Sequence, residues 1–234
     1  MLKLLTQAIA FIFAFLSVVD GKGKAAQVEK SFPNSQGTYW NGATFAGSCL
    51  LQNYKQPPNV EYVAVAGNLN QNGKYCGSCI KVTPRRGGRQ PVVAIVSSYC
   101  PDCPANGLDI PPTMYNKLMG NAPGRPGLAQ FDWESVVCPF QNLNPTIVNK
   151  QGSSKYHVSM LIANSKYPID RVTIKSGSKT FEAHKTSYNH WELNDGTVTE
   201  DTITVKVYCS NSGWFTFERF DPKSEKPITA ARGC

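Results

Sequence analysis

Apolar and polar positions alternate along most of the chain and divide it into two blocks. In the first, the runs Val60 to Ala66, Cys79 to Val82, Val92 to Ser97 and Ser135 to Val137 read as strands set apart by Gly- and Pro-rich turns. Helical periodicity is confined to Thr113 to Met119, where Pro111 and Pro112 suit a helix start and Gly120 a stop. A β-barrel with one short helix is expected.

The second block alternates more cleanly. Tyr156, Val158, Met160 and Ile162 fall in one phase, as do Val172 with Ile174, Ile203 with Val205 and Val207, and Phe215 with Phe217. Turn signals at Lys175-Ser176-Gly177-Ser178 and Asn194-Asp195-Gly196 separate such runs, so a small antiparallel sandwich is expected. The stretch from Pro139 to Pro145 lacks apolar period and carries two prolines and two asparagines, which suits a stiff connector. The expected division is a barrel over 37–139, a connector over 140–150 and a sandwich over 151–234. The chain has no internal repeat or low-complexity tract.

Ahead of both blocks an apolar stretch runs from Ala8 to Val19, broken only by Ser17, with Lys3 before it and Asp20, Gly21 and a basic run after it. It falls short of the roughly 20 residues that span a bilayer. The order is that of a secretory signal peptide over 1–21, with cleavage between Val19 and Gln27; a retained N-terminal anchor is the other reading. No later segment is apolar for long enough to span, so no membrane contact is expected after cleavage.

Eight cysteines all follow the signal segment, and export favours disulfides over free thiols. The pairs Cys76/Cys79 and Cys100/Cys103 have zinc-ligand spacing, but an oxidising compartment with four further cysteines argues for disulfides and no metal. The net charge is +8. Outside the cell that points to non-specific attraction to an anionic matrix and not to nucleic acid. The candidate glycosylation acceptor Asn144-Pro145-Thr146 carries the excluded proline.

Gly37-Thr38-Tyr39-Trp40, Cys76-Gly77-Ser78-Cys79, Cys100-Pro101-Asp102-Cys103, Gly107-Leu108-Asp109-Ile110 and Trp133 to Cys138 occur in an order and spacing that resembles the barrel domain of expansins, which is related to family 45 endoglucanases. Lys150 to His157, Asn164 to Ile169 and Ser187 to Trp191 are similar to the polysaccharide-binding domain of microbial expansins. The resemblance implies an all-β chain, a six-stranded double-psi β-barrel followed by an immunoglobulin-like sandwich. It implies Cys49–Cys76, Cys79–Cys138 and Cys100–Cys103 among the 15 pairings open to six cysteines, which leaves Cys209 for Cys234. It further implies a secreted monomer without cofactor that binds cellulose and other wall polysaccharides. Thr38, Asp109 and Ser98 would lie in the barrel groove with Tyr39 and Trp40 as walls, and Lys150, Tyr156, His157 and Tyr188 would bind on the sandwich.

Cleaving a glycosidic bond ordinarily takes two carboxylates, an acid and a base or nucleophile. Asp109 matches the acid of the related endoglucanases. The matching base would follow the Tyr-Trp pair, where this sequence has Asn41, and no Asp or Glu occurs between Glu29 and Glu61. Asp102, Asp132 and Glu134 remain, without motif support. The expectation is a non-hydrolytic wall-loosening protein, the alternatives being a weak lytic hydrolase or transglycosylase using Asp109, and a structural matrix protein without glycan activity. Ser98 stands where many microbial expansins carry a second aspartate, and His157 where a tryptophan often lies. Trp133, Trp191 and Trp214 are expected in cores, Arg85, Arg86 and Arg89 at a solvated loop tip, and His184 and His190 receive no role.

Overall fold

The computed structural model describes residues 30–41, 44–54, 56–86, 89–120, 128–193 and 197–234. The expected signal segment and the Asn194 to Gly196 turn lie outside the described residues. Six strands close a barrel: β1 (Ser31–Tyr39), β2 (Glu61–Ala66), β3 (Cys79–Pro84), β4 (Val92–Cys100), β5 (Leu108–Ile110) and β6 (Leu128–Val136), in the spatial order β1-β5-β2-β4-β3-β6. The pairs β1/β5 and β2/β4 are parallel and the remaining pairs antiparallel, a double-psi β-barrel.

The barrel interior follows from alternation. Val63, Val65, Ile80, Val82, Leu108, Ile110, Phe131 and Trp133 point inward and are almost wholly buried. Helix α1 (Pro112–Met119) adds Met114, Tyr115 and Leu118 to the same core. Gly37 makes room for Phe131, since a Cβ there would sit 2.3 Å from the Phe131 ring. Strand β6 begins at Leu128, well ahead of the run expected from Ser135.

The second unit contains β7 (Thr146–Asn149), β8 (Ser159–Ala163), β9 (Ile169–Ser176), β10 (Lys179–Lys185), β11 (Trp191–Glu192), β12 (Ile203–Cys209), β13 (Trp214–Phe220) and β14 (Ile228–Thr229). They form one ladder, β13-β12-β9-β10-β11-β8-β7-β14. Residues 179–183 of β10 pair with β9 while His184 and Lys185 pair with β11. The ladder therefore turns over at β10 into two layers around a shared core, to which Ile147, Met160 and Ile162 come from one layer and Val172, Val205, Val207, Phe215 and Phe217 from the other. This is the expected sandwich.

Three details correct the reading of the sequence. Residues 146–149, assigned above to the connector, are a strand paired to β8. Tyr156 is out of phase with Val158 because it lies in a turn closed by the Ser154–His157 bridge. Trp133 and Trp191 are buried as expected, but Trp214 is 45% exposed: Phe215 and Phe217 take the inward phase of β13 and force the indole outward.

The cysteines are joined as Cys49–Cys76, Cys79–Cys138, Cys100–Cys103 and Cys209–Cys234. The two units also bond directly to each other. Tyr54 Oη donates to the Leu161 carbonyl at 3.2 Å, and burial pushes its phenol well above the ordinary tyrosine range. Asn189 Nδ2 donates to the Cys49 carbonyl at 3.0 Å, and the Cys138 N–H donates to the Lys166 carbonyl at 2.9 Å. Gly73 lets the 186–189 turn dock closely, because a Cβ there would lie 2.6 Å from the Thr186 carbonyl oxygen.

Candidate functional site

The register of the barrel gathers most of the expected groove residues. Thr38 pairs with Asp109 across β1 and β5, Asp109 with Ala64 across β5 and β2, and Ala64 with Ser98 across β2 and β4. Thr38, Asp109, Ala64 and Ser98 thus form one row across four strands. Thr38 Oγ1 donates to Asp109 Oδ1 at 2.5 Å, fixing the half-buried carboxylate. Trp40 shares the Thr38 face by strand alternation, is held by its N–H to the Ile110 carbonyl at 3.0 Å, and is 39% exposed. Tyr39 points the other way, edge-on to the buried Tyr115 ring at 5.4 Å, so it supports the core and is not a groove wall.

Ser98 closes the row instead of opening it. Its Oγ accepts from the Ser48 N–H and lies 3.2 Å from Ser48 Oγ, leaving Ser98 8% exposed. The loop that covers it depends on Gly47, at φ 48, where a Cβ would fall 2.0 Å from the Ser97 carbonyl oxygen. A small hydroxyl on β4 lets this backbone come down onto the sheet, and Ser98 is thereby withdrawn from any ligand in the groove.

The carboxylates around the barrel are mostly committed. Glu61 meets Lys117 at 2.5 Å and Thr113 Oγ1 at 3.0 Å, Asp132 meets Arg85 at 3.0 Å, and Glu134 pairs with Lys81. Cys100 and Cys103 place their sulfurs within 4.8 Å of the Asp109 carboxylate, but the two sulfurs are bonded to each other and neither is a thiolate able to hold a metal. Asp102 lies exposed in the turn between them.

On the sandwich, Lys150, Tyr188 and Glu192 converge. Lys150 Nζ sits 4.9 Å from the Tyr188 ring centroid and 3.9 Å from Glu192 Oε1. The same oxygen accepts from Tyr188 Oη at 2.8 Å and Ser159 Oγ at 2.7 Å. Desolvation opposes ionisation of Glu192, yet those two hydrogen bonds, with Lys150 and His157 nearby, hold its carboxyl below the usual glutamate range. Tyr156 is 83% exposed at its turn, beside the exposed His157. A cleft of about 980 Å³ that Tyr54, Lys150 and His190 help to line runs from this patch toward the barrel.

Residues 36–138 match the model of the Barwin family. The chain is 30% identical over 193 residues to Expansin-like protein 1 of Dictyostelium discoideum, covering 78% of this chain and 65% of that one, and 26% identical over 156 residues to Expansin-YoaJ of Bacillus subtilis, covering 65% and 64%. Two crystal structures of Clavibacter michiganensis expansin, one apo and one a mutant in complex with cellohexaose, superpose with TM-scores of 0.73 and 0.74 at 21% identity, over 87% of this chain and 98% of each. Over most of its length the chain is similar to expansins. The chain spans 65%, 63% and 56% of the lengths of three curated Dictyostelium relatives.

Two residues of the patch around Lys150 escaped the reading of the sequence. Glu192 organises Lys150, Tyr188 and Ser159 but belongs to no spacing motif; its one signal is the outward phase beside the buried Trp191. His190 is buried, with Nδ1 3.2 Å from the Tyr188 carbonyl, and burial pushes its imidazole below the ordinary histidine range. It braces the turn that presents Tyr188.

Proposed function

We propose that this protein is a secreted, non-hydrolytic, expansin-like protein that binds cellulosic glucan and loosens contacts between wall polysaccharides. The observation that carries the reading is the pairing of one fixed carboxylate with an open aromatic. Asp109 is tied to Thr38 beside the exposed Trp40, while Glu61, Asp132 and Glu134 are bound to cations. A groove built this way can grip a sugar chain by hydrogen bonds to its hydroxyls and by stacking on its C–H faces. Among the described residues, the row that holds Asp109 brings no second carboxylate beside it for hydrolysis. The Lys150–Tyr188–Glu192 group supports a second grip on a neutral chain, since its cation is balanced by an anion. The cellohexaose complex of the Clavibacter expansin supports a glucan as the ligand.

A lytic reading has one observation behind it: Asp102 lies in the turn whose two disulfide sulfurs approach the Asp109 carboxylate. Paired assays of wall or paper extension and of reducing ends separate the two. Loosening with no new reducing ends in wild type, lost in Trp40→Ala and reduced in Asp109→Asn, is the expected result. Soluble oligosaccharide that disappears in either Asp102→Asn or Asp109→Asn would establish lysis instead.

A further inference from the structure

The outward Trp214 belongs to a second surface, on the layer of the sandwich opposite to Tyr188 and Glu192. Arg171, Tyr208 and Trp214 are register partners on β9, β12 and β13, so they form a row across three adjacent strands, a span of about 10 Å. Val172, Val207 and Phe215, their chain neighbours, face the core, which places the row on the solvent side. Arg171 lies 3.7 Å from the Tyr208 ring centroid, Lys206 Nζ 5.0 Å from that ring and 4.3 Å from the Trp214 ring, and Arg232 5.3 Å from the Trp214 ring. The Cys209–Cys234 bond brings the 230–234 segment beside the turn before β13, which is how Arg232 reaches Trp214.

The charge of this surface differs from that of the other layer. There Lys150 is balanced by Glu192. Here Arg171 is paired with Glu182 at 2.9 Å, but among the described residues no ion pair joins Lys206 or Arg232 to an acid. Desolvation pushes the other way, yet Lys206 and Arg171 hold the Tyr208 phenol below its usual range, the mark of a local positive field. An aromatic face with two uncompensated cations suits a sugar ring that carries a carboxylate: the ring C–H face meets the indole, and the ammonium and guanidinium meet the anion.

We infer that the Arg171–Tyr208–Trp214 row, with Lys206 and Arg232, is a binding site for a uronate-bearing polysaccharide, so that the sandwich holds a neutral glucan on one layer and an anionic glycan on the other. This basic site stands independently of how the barrel groove is used. Only the bridging of the two polymers rests on the function proposed above.

The test is affinity electrophoresis of the full chain in gels containing polygalacturonate, its fully methyl-esterified form or a neutral soluble glucan. Retardation by polygalacturonate, about tenfold weaker in Trp214→Ala/Lys206→Ala and less than twofold changed in Lys74→Ala on the barrel, is expected. Equal retardation by the methyl ester would overturn the site by removing its dependence on the carboxylate. Equal loss in Lys74→Ala would reduce it to net charge, and no retardation at low salt would refute it outright. Cellulose-bound protein should then retain labelled polygalacturonate. Failure to bind cellulose with polygalacturonate binding intact would count against the proposed function alone.

Discussion

Asn189 makes one of the hydrogen bonds that join barrel and sandwich. It is 2% exposed, adopts φ 68, and its side chain donates to the Cys49 carbonyl at 3.0 Å. Asn189→Ala removes that donor and strands a buried acceptor, at a cost of about 1–3 kcal/mol. It also puts a Cβ without a local hydrogen-bonding group in the left-handed region, for about 1 kcal/mol more. Asn189→Gly removes the donor but accommodates the backbone. The expected destabilisation is therefore about 3 kcal/mol for Ala and about 2 kcal/mol for Gly, or Tm falls of roughly 6–12 °C and 4–8 °C at about 2–4 °C per kcal/mol. Scanning calorimetry reads both values and shows whether each variant melts in one transition or two. A glycine variant that melts with wild type would refute the bond as a contributor, and an alanine variant no worse than glycine would refute the backbone component.

Trp133→Ala should cost about 3–5 kcal/mol, since the indole is 1% exposed, stacks on Phe32 at 4.1 Å and donates to the Asn106 carbonyl at 2.9 Å; chemical denaturation measures it. Glu192 has a folded-state pKa below its unfolded value, so its contribution is complete above the unfolded value of about 4.3 and is lost as pH falls through the lower folded one. The Tm gap between wild type and Glu192→Gln should accordingly narrow as pH falls below about 4, and a gap that widens there would contradict the assignment. Trp40→Ala should change stability by less than about 1 kcal/mol, because the ring is 39% exposed, while weakening retention on insoluble cellulose. Ser98→Ala, by contrast, should lower stability through the lost Ser48 contacts and leave cellulose retention unchanged.

Alternation and cysteine order made the two-unit architecture legible because strands buried on one face repeat with a period of two. What escaped lies where that period is interrupted. Strand β1 carries Pro33 and the positive-φ Asn34, and its register against β6 shifts between Phe32 and Ser35, so its sequence does not read as a strand. β7 is short and follows Pro145, which disguised it as connector. In the barrel groove, motif matching singled out Thr38, Trp40 and Asp109. The withdrawal of Ser98 depends on a loop that Gly47 alone permits, a backbone condition no side-chain pattern reveals. Glu192 and Asn189 act through partners far off in the chain, from Ser159 to Cys49, and long-range pairing is set by packing that local sequence does not encode.

The 186–190 turn places two adjacent residues on opposite duties. Tyr188 faces the Lys150 patch, while Asn189 hooks the barrel at the disulfide-bonded Cys49. Under the function proposed above, tension on a polymer held at Tyr188 would pass through a single peptide unit into a covalently stapled part of the barrel. The loop anchored there lays Ser48 on Ser98, at one end of the groove row. On that reading the turn would act as a short lever between the two proposed grips, and a wall polymer that slips under load would pull on both together.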